Sequence, residues 1–164
     1  MDVATGTGDV AFAIKRKHDV SIIGLDLSAN MLKVARKKSA KSGVNDIEFI
    51  EGDAEKLPFD DNTFDKLVIS YGLRNLGDFK IGIEEFYRVL KPNASIGVLE
   101  FMQPRSTIVS VVFKLYFNHI LPRIASLFSN SKAYRYLPES VQNFFTPEEL
   151  KKLMEEVGFK EVKC

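Results

Sequence analysis

Apolar, β-branched runs alternate with stretches of helical spacing along residues 1–101, and this alternation constrains the fold more than any other feature. Residues 20–25 (VSIIGL), 47–50 (IEFI), 66–70 (KLVIS) and 95–101 (SIGVLEF) read as buried strands. Between the first two, Ser28 is placed to cap a helix with Met31, Leu32, Val34 and Ala35 at its apolar positions, and Gly43 to end it. Between the last two, residues 79–90 read as a helix whose apolar face is Ile83, Phe86, Tyr87 and Leu90, stopped by Lys91-Pro92-Asn93. Strands separated by helices are joined by crossovers. The predicted fold class is therefore α/β, a mainly parallel sheet with helices on both faces.

The pattern changes after Pro104. Residues 106–128 are rich in Phe, Val, Ile and Leu, and Pro122 kinks or breaks any helix there. Residues 147–157 predict a last helix, with Thr146 as N-cap, Pro147 in the first turn and Gly158 as the stop. Residues 159–162 read as the start of another strand. No repeat or linker interrupts the chain, so residues 1–164 are expected to form one domain, with an inserted helical segment at about 105–145.

The charge balance of 23 Lys and Arg against 22 Asp and Glu argues against a nucleic-acid surface. Cys164 is the only cysteine, which excludes an internal disulfide or a cysteine metal site, and His18 and His119 stand too far apart in sequence to suggest a metal. No run of about 18 uncharged apolar residues suggests a membrane span, and no signal peptide is recognisable, so the cytoplasm is the default compartment.

The strongest local signal is Ala4-Thr5-Gly6-Thr7-Gly8-Asp9-Val10-Ala11, a G-x-G-x-x-A pattern. Glycines at these places allow a tight turn and a close approach of ligand to backbone. A helix over residues 9–17 follows, with Val10, Ala13 and Ile14 on one face. The same pattern serves dinucleotides and other adenosine cofactors, and a strand-to-helix turn without a ligand also carries it. Two acidic positions add weight. Asp26 ends the next strand, where a carboxylate can accept from both ribose hydroxyls; Asp53, in Glu51-Gly52-Asp53-Ala54-Glu55, can accept from an adenine amine while the Ala54 N–H donates. A helix cap is the alternative for Asp26, although Ser28 already serves as one, and a turn is the common alternative for Asp53. With Ser70 these positions line the carboxyl edge of a parallel sheet. Tyr87-x-x-x-Lys91 has the spacing of a dehydrogenase acid-base pair, but core packing and a helix-end cation account for both residues.

The segments DVATGTGD, GLDLS, GDAEKLPFDDNTFD and YRVLKP together resemble class I S-adenosylmethionine-dependent methyltransferases. Ser70-Tyr71-Gly72-Leu73-Arg74-Asn75, Leu121-Pro122-Arg123-Ile124 and Tyr134-Arg135-Tyr136-Leu137 resemble the ubiquinone/menaquinone biosynthesis C-methyltransferases over essentially the whole chain. The resemblance implies a Rossmann-like methyltransferase fold, S-adenosyl-L-methionine as cofactor and a polyprenyl quinol as substrate. It implies that Gly6, Thr7 and Gly8 face the methionine part, Asp26 the ribose, Asp53 and Ala54 the adenine, and Ser70 the sulfonium. Methylating a ring carbon requires a neighbouring hydroxyl to lose its proton. Arg74 and Asn75 are the candidates for catalysis, Arg74 by stabilising a phenolate or placing a water; a structural Arg paired with a carboxylate is the equal alternative. A nicotinamide oxidoreductase and a non-catalytic cofactor-binding subunit are the competing functions.

Ile108, Val111, Val112, Leu115 and Tyr116, widened by Phe113, Phe117 and Ile120, suit a core or homodimer-contact helix, or else a wall for an isoprenoid tail or a patch that touches the bilayer. Only four residues precede Thr5, and Cys164 falls early in the expected last strand, so the fold is expected to be truncated at both ends.

Overall fold

The computed structural model describes residues 1–44, 46–102 and 144–164. The chain divides into two compact units, Met1–Glu100 and Phe101–Cys164. The first unit runs β1 (Asp2–Val3), α1 (Asp9–Lys17), β2 (Ile22–Asp26), α2 (Ala29–Ser42), β3 (Ile47–Glu51), β4 (Phe64–Ser70), a 3₁₀ turn (Leu73–Asn75), α3 (Phe79–Val89) and β5 (Leu90–Leu99). The five strands form one sheet in the order β3-β2-β1-β4-β5. All four pairings are parallel, as the alternation predicts.

This order reverses direction at β1. Right-handed crossovers then put α1 and α2 on one face and α3 on the other. On the first face, Ala11 and Phe12 of α1 and Leu32 and Ala35 of α2 pack on Ile22, Ile47 and Phe49. The α1 face differs from expectation. Ala11 and Phe12 are its buried residues, and Val10, Ala13 and Ile14 are only half-buried. On α2, Leu32 and Ala35 are fully buried while Met31 and Val34 stay exposed. The buried residues of α3 are Gly82, Ile83, Phe86 and Val89. Tyr87 lies about 120° around the helix from the middle of that face and is 47% exposed, so it is not a core residue. Burying each large apolar side chain contributes roughly 1.5–3 kcal/mol.

Ser28 caps α2 by accepting from the Met31 amide, and Gly43 ends it in the left-handed region, both as expected. The helix over residues 79–90 ends at Val89, and β5 begins at Leu90 rather than Ser95. Its ladder is continuous only from Ser95, which pairs with Lys66; residues 91–94 bulge out between Phe64 and Lys66. Pro92 has no N–H to give a ladder, and Asn93 turns at φ 65°, so the bulge follows from the local sequence.

In the second unit, α4 (Pro147–Val157) has the predicted bounds. Thr146 and Glu149 form a reciprocal capping box, and Leu150 and Met154 are its buried residues. Residues 159–162 form no strand: the Phe159 amide donates to the Met154 carbonyl at 3.0 Å and so closes α4, and Glu161 turns at φ 56°. His119, the helical segment at about 105–145 and its candidate membrane or dimer face fall in or almost wholly in residues outside the described set.

Candidate active site

Parallel pairing brings the carboxyl ends of β1 to β4 to one edge, and the candidate residues gather there. The loop after β1 turns through left-handed backbone at Ala4, Gly6 and Gly8, at φ 53°, 55° and 82°. Gly8 needs its missing side chain twice over, because a Cβ there would stand 3.0 Å from both the Phe12 and the Phe49 ring. Gly6 faces open space, with nothing within 4 Å of where a Cβ would be. Its backbone is therefore accessible to a ligand, as a close-approach loop requires.

Asp26 is wired into this loop. Its Oδ2 accepts from the Gly6 amide at 2.8 Å and its Oδ1 from the Ser28 amide at 2.8 Å. Each carboxylate oxygen retains acceptor capacity for a further donor such as a ribose hydroxyl. The next loop is tied on by the Gly52 amide, which donates to the Asp26 carbonyl at 3.1 Å. Asp53 Oδ1 accepts from the Glu55 amide at 2.9 Å, the geometry of a turn Asp, and Ala54 is buried. Ser70 ends β4 opposite Leu99, one residue beyond the Val3–Ile69 pairing.

The turn after β4 joins the same edge. Tyr71 is left-handed at φ 54°, and a Cβ on Gly72 would collide with the Ala4 methyl, so the turn abuts the glycine loop. Glu55 Oε1 accepts from the Gly77 amide at 2.5 Å, which ties the Asp53 loop to the far end of this turn. Arg74 and Asn75 occupy the 3₁₀ turn between. Arg74 Nη1 donates to Glu100 Oε1, and its amide donates to Glu100 Oε2 at 3.3 Å. The pair is desolvated, the Arg74 side chain being 9% exposed and that of Glu100 not at all. The carboxylate-paired arrangement weighed for Arg74 is thus present. Asn75 Nδ2 donates to the Tyr71 carbonyl at 3.4 Å.

The motifs assign no role to several further residues of the site. Asp2 is 1% exposed; it accepts from Thr5 Oγ1 at 2.6 Å and from the Ala11 amide. Gly8 has no side chain with which to cap α1, and Asp2 reaches from β1 to do so. Burial pushes its carboxyl above the usual range, and the Thr5 hydrogen bond only partly offsets this. Lys38 of α2 binds Thr7 and Asp9, and holds the Asp9 carboxyl below the usual range together with the Thr7 hydroxyl. On α3, Arg88 donates to the Leu57 and Phe59 carbonyls, and Glu85 accepts from the Leu57 amide at 2.7 Å. These two residues clamp the Asp53 loop from behind. Glu100, a carboxylate inside the apolar run 95–101, carries a signal that could have marked it. Lys91 lies in β5 rather than capping a helix, and bonds Asp65 at 2.8 Å, so it does not share the helix of Tyr87. Among the described residues no group of three or more His, Cys, Asp or Glu could hold a metal. No described helix is long and apolar enough to cross a membrane.

The sequence profile of the ubiE/COQ5 methyltransferase family matches residues 1–164. A demethylmenaquinone methyltransferase of Deinococcus radiodurans is 46% identical over 162 residues, covering 98% of this chain and 67% of its own length. The ubiquinone/menaquinone biosynthesis C-methyltransferase UbiE of Geobacter sulfurreducens is 44% identical over 164 residues, covering 98% and 64%. The chain thus spans between 64% and 67% of the length of these relatives. A SAM-dependent methyltransferase from Aquifex aeolicus shares the fold, with a TM-score of 0.70 at 19% identity over 99% of this chain and 72% of that one.

Proposed function

The chain belongs to the ubiE/COQ5 methyltransferase family, and from that membership we propose that it methylates a ring carbon of a polyprenylated quinol, with S-adenosylmethionine as donor, in menaquinone or ubiquinone biosynthesis. The family match over residues 1–164 carries this reading, and the stitching of three loops on one sheet edge, Gly6 to Asp26, Gly52 to Asp26 and Glu55 to Gly77, supports its cofactor site.

When bound, the cofactor supplies an electrophilic sulfonium methyl group, so the protein's part is chiefly placement. In this proposal Asp26 accepts from the ribose hydroxyls, Asp53 from the adenine amine, and the Ala54 amide donates to the ring. Gly6, Thr7 and Gly8 surround the amino-acid end, and Ser70 lies beside the sulfonium. Arg74, held by Glu100, stabilises the phenolate that makes the ring carbon nucleophilic, and Asn75 orients the same hydroxyl. Residues 1–164 act as one methyltransferase domain in this reading, and a lipid-tailed substrate brings it to a membrane surface.

The test is Arg74→Lys, which keeps a cation for Glu100 and removes the planar fork. Turnover on a demethylated quinol should fall roughly 100-fold, while affinity for S-adenosylhomocysteine stays within about threefold. Unchanged turnover removes Arg74 from the chemistry. Calorimetric binding of NAD with none of S-adenosylhomocysteine overturns the cofactor.

A further inference from the structure

Thr7, Asp9 and Lys38 close a ring of hydrogen bonds on the glycine loop. Thr7 Oγ1 donates to Asp9 Oδ2 at 2.7 Å, and Lys38 Nζ donates to Thr7 Oγ1 at 2.9 Å and to Asp9 Oδ1 at 2.8 Å. The helix α2 carries five cations, Lys33, Arg36, Lys37, Lys38 and Lys41. Among the described residues, Lys38 is the one of these in an ion pair. A hydroxyl has one proton and two lone pairs. Here the proton is committed to Asp9 and one lone pair to Lys38. Thr7 can therefore offer a ligand one acceptor site and no donor.

We infer that Lys38 is a positioning residue for the amino-acid end of the cofactor: it fixes the Thr7 hydroxyl as an acceptor and cancels the Asp9 charge, so that the loop takes an α-ammonium and tolerates the α-carboxylate beside it. The inference rests on the cofactor reading above. Without Lys38 the hydroxyl is free to rotate, and the bare Asp9 carboxylate repels the carboxylate of the ligand. No hydrogen bond joins this ring to the side chain of Asp26 or Asp53, the residues proposed for the adenosine end.

Two probes separate the ends. S-adenosylhomocysteine carries the amino acid, and 5′-methylthioadenosine is the same adenosyl thioether without it. In Lys38→Met, calorimetric affinity for S-adenosylhomocysteine should fall about tenfold, with methylthioadenosine affinity within about twofold. Lys38→Arg should restore most of the loss, because it keeps a cationic donor. Equal losses for both ligands, or no loss for either, overturn the assignment. Equal losses accompanied by a lower melting temperature show a structural role only. A wild-type protein that binds neither ligand overturns the cofactor reading itself, and this proposal with it.

Discussion

Arg88→Met should loosen the loop that carries Asp53 and Ala54 while substituting none of the residues proposed to touch the cofactor. The Arg88 guanidinium donates to the Phe59 carbonyl at 2.7 Å and the Leu57 carbonyl at 3.1 Å. It grips Glu85 through Nε at 2.7 Å and Nη2 at 2.8 Å, and reaches Asp61 at 2.8 Å. A hydrogen bond from a charged donor contributes roughly 1.5–3 kcal/mol when dry. With the side chain 31% exposed, water replaces part of what is lost at the two carbonyls, which leaves about 1 kcal/mol each. The Asp61 pair lies in solvent and adds little. Glu85 is 20% exposed and loses its bidentate partner, for about 1 kcal/mol more. The expected loss is therefore about 3 kcal/mol, a large fraction of a typical domain's stability. Urea unfolding followed by circular dichroism measures it as a lower midpoint at unchanged slope. Arg88→Lys should recover about 1 kcal/mol, since one point charge cannot reach both carbonyls and fork to Glu85. A loss below about 1 kcal/mol in Arg88→Met, or a Lys variant equal to wild type, refutes the clamp.

Gly8→Ala puts a Cβ against Phe12 and Phe49 in a left-handed backbone, and should cost about 2–3 kcal/mol in a melt; Gly6→Ala meets open space and should cost only about 1 kcal/mol. Equal losses would show that the two ring contacts at Gly8 do not matter. Asp2 gives a pH signature. Its folded carboxyl lies above the ordinary value of 3.8, so its contribution is complete below that value and is lost as pH rises through the folded pKa. The stability of wild type relative to Asp2→Asn should therefore decline from about pH 4 upward and then level off, and a difference that stays flat to about pH 7 contradicts the buried-charge reading.

The structure bears out much that the residues announced. Ser28 and Gly43 bound α2, and Thr146 and Gly158 bound α4, because capping and left-handed turns are decided by the chemistry of one or two neighbouring residues. The Rossmann-like methyltransferase fold followed from the alternation of periods and the resemblance of its motifs. Helix facing was less legible. Helical spacing puts Tyr87 on the apolar face, four residues after Ile83, yet the face centres on Gly82, Ile83, Phe86 and Val89. Which apolar stripe is buried depends on the surface it meets, and α3 exposes one flank. The expected strand at 159–162 gives way to the helix end, since the Phe159 amide is taken by the Met154 carbonyl and Glu161 turns left-handed.

The candidate site divides along the same line. Sequence by itself determined which residue types stand at the carboxyl ends of successive strands: the glycines, Asp26, Asp53 and Ser70. It could do so because those positions are tied to backbone turns read within a few residues. Tertiary structure alone decided what those residues are bonded to. Lys38 meets Asp9 across 29 positions, Arg74 meets Glu100 across 26, and Arg88 meets the Phe59 carbonyl across 29. No local rule encodes such pairings. They arise because parallel crossovers carry distant segments to one sheet edge, where side chains long enough to span the gap satisfy the carbonyls and carboxylates that the turns leave there.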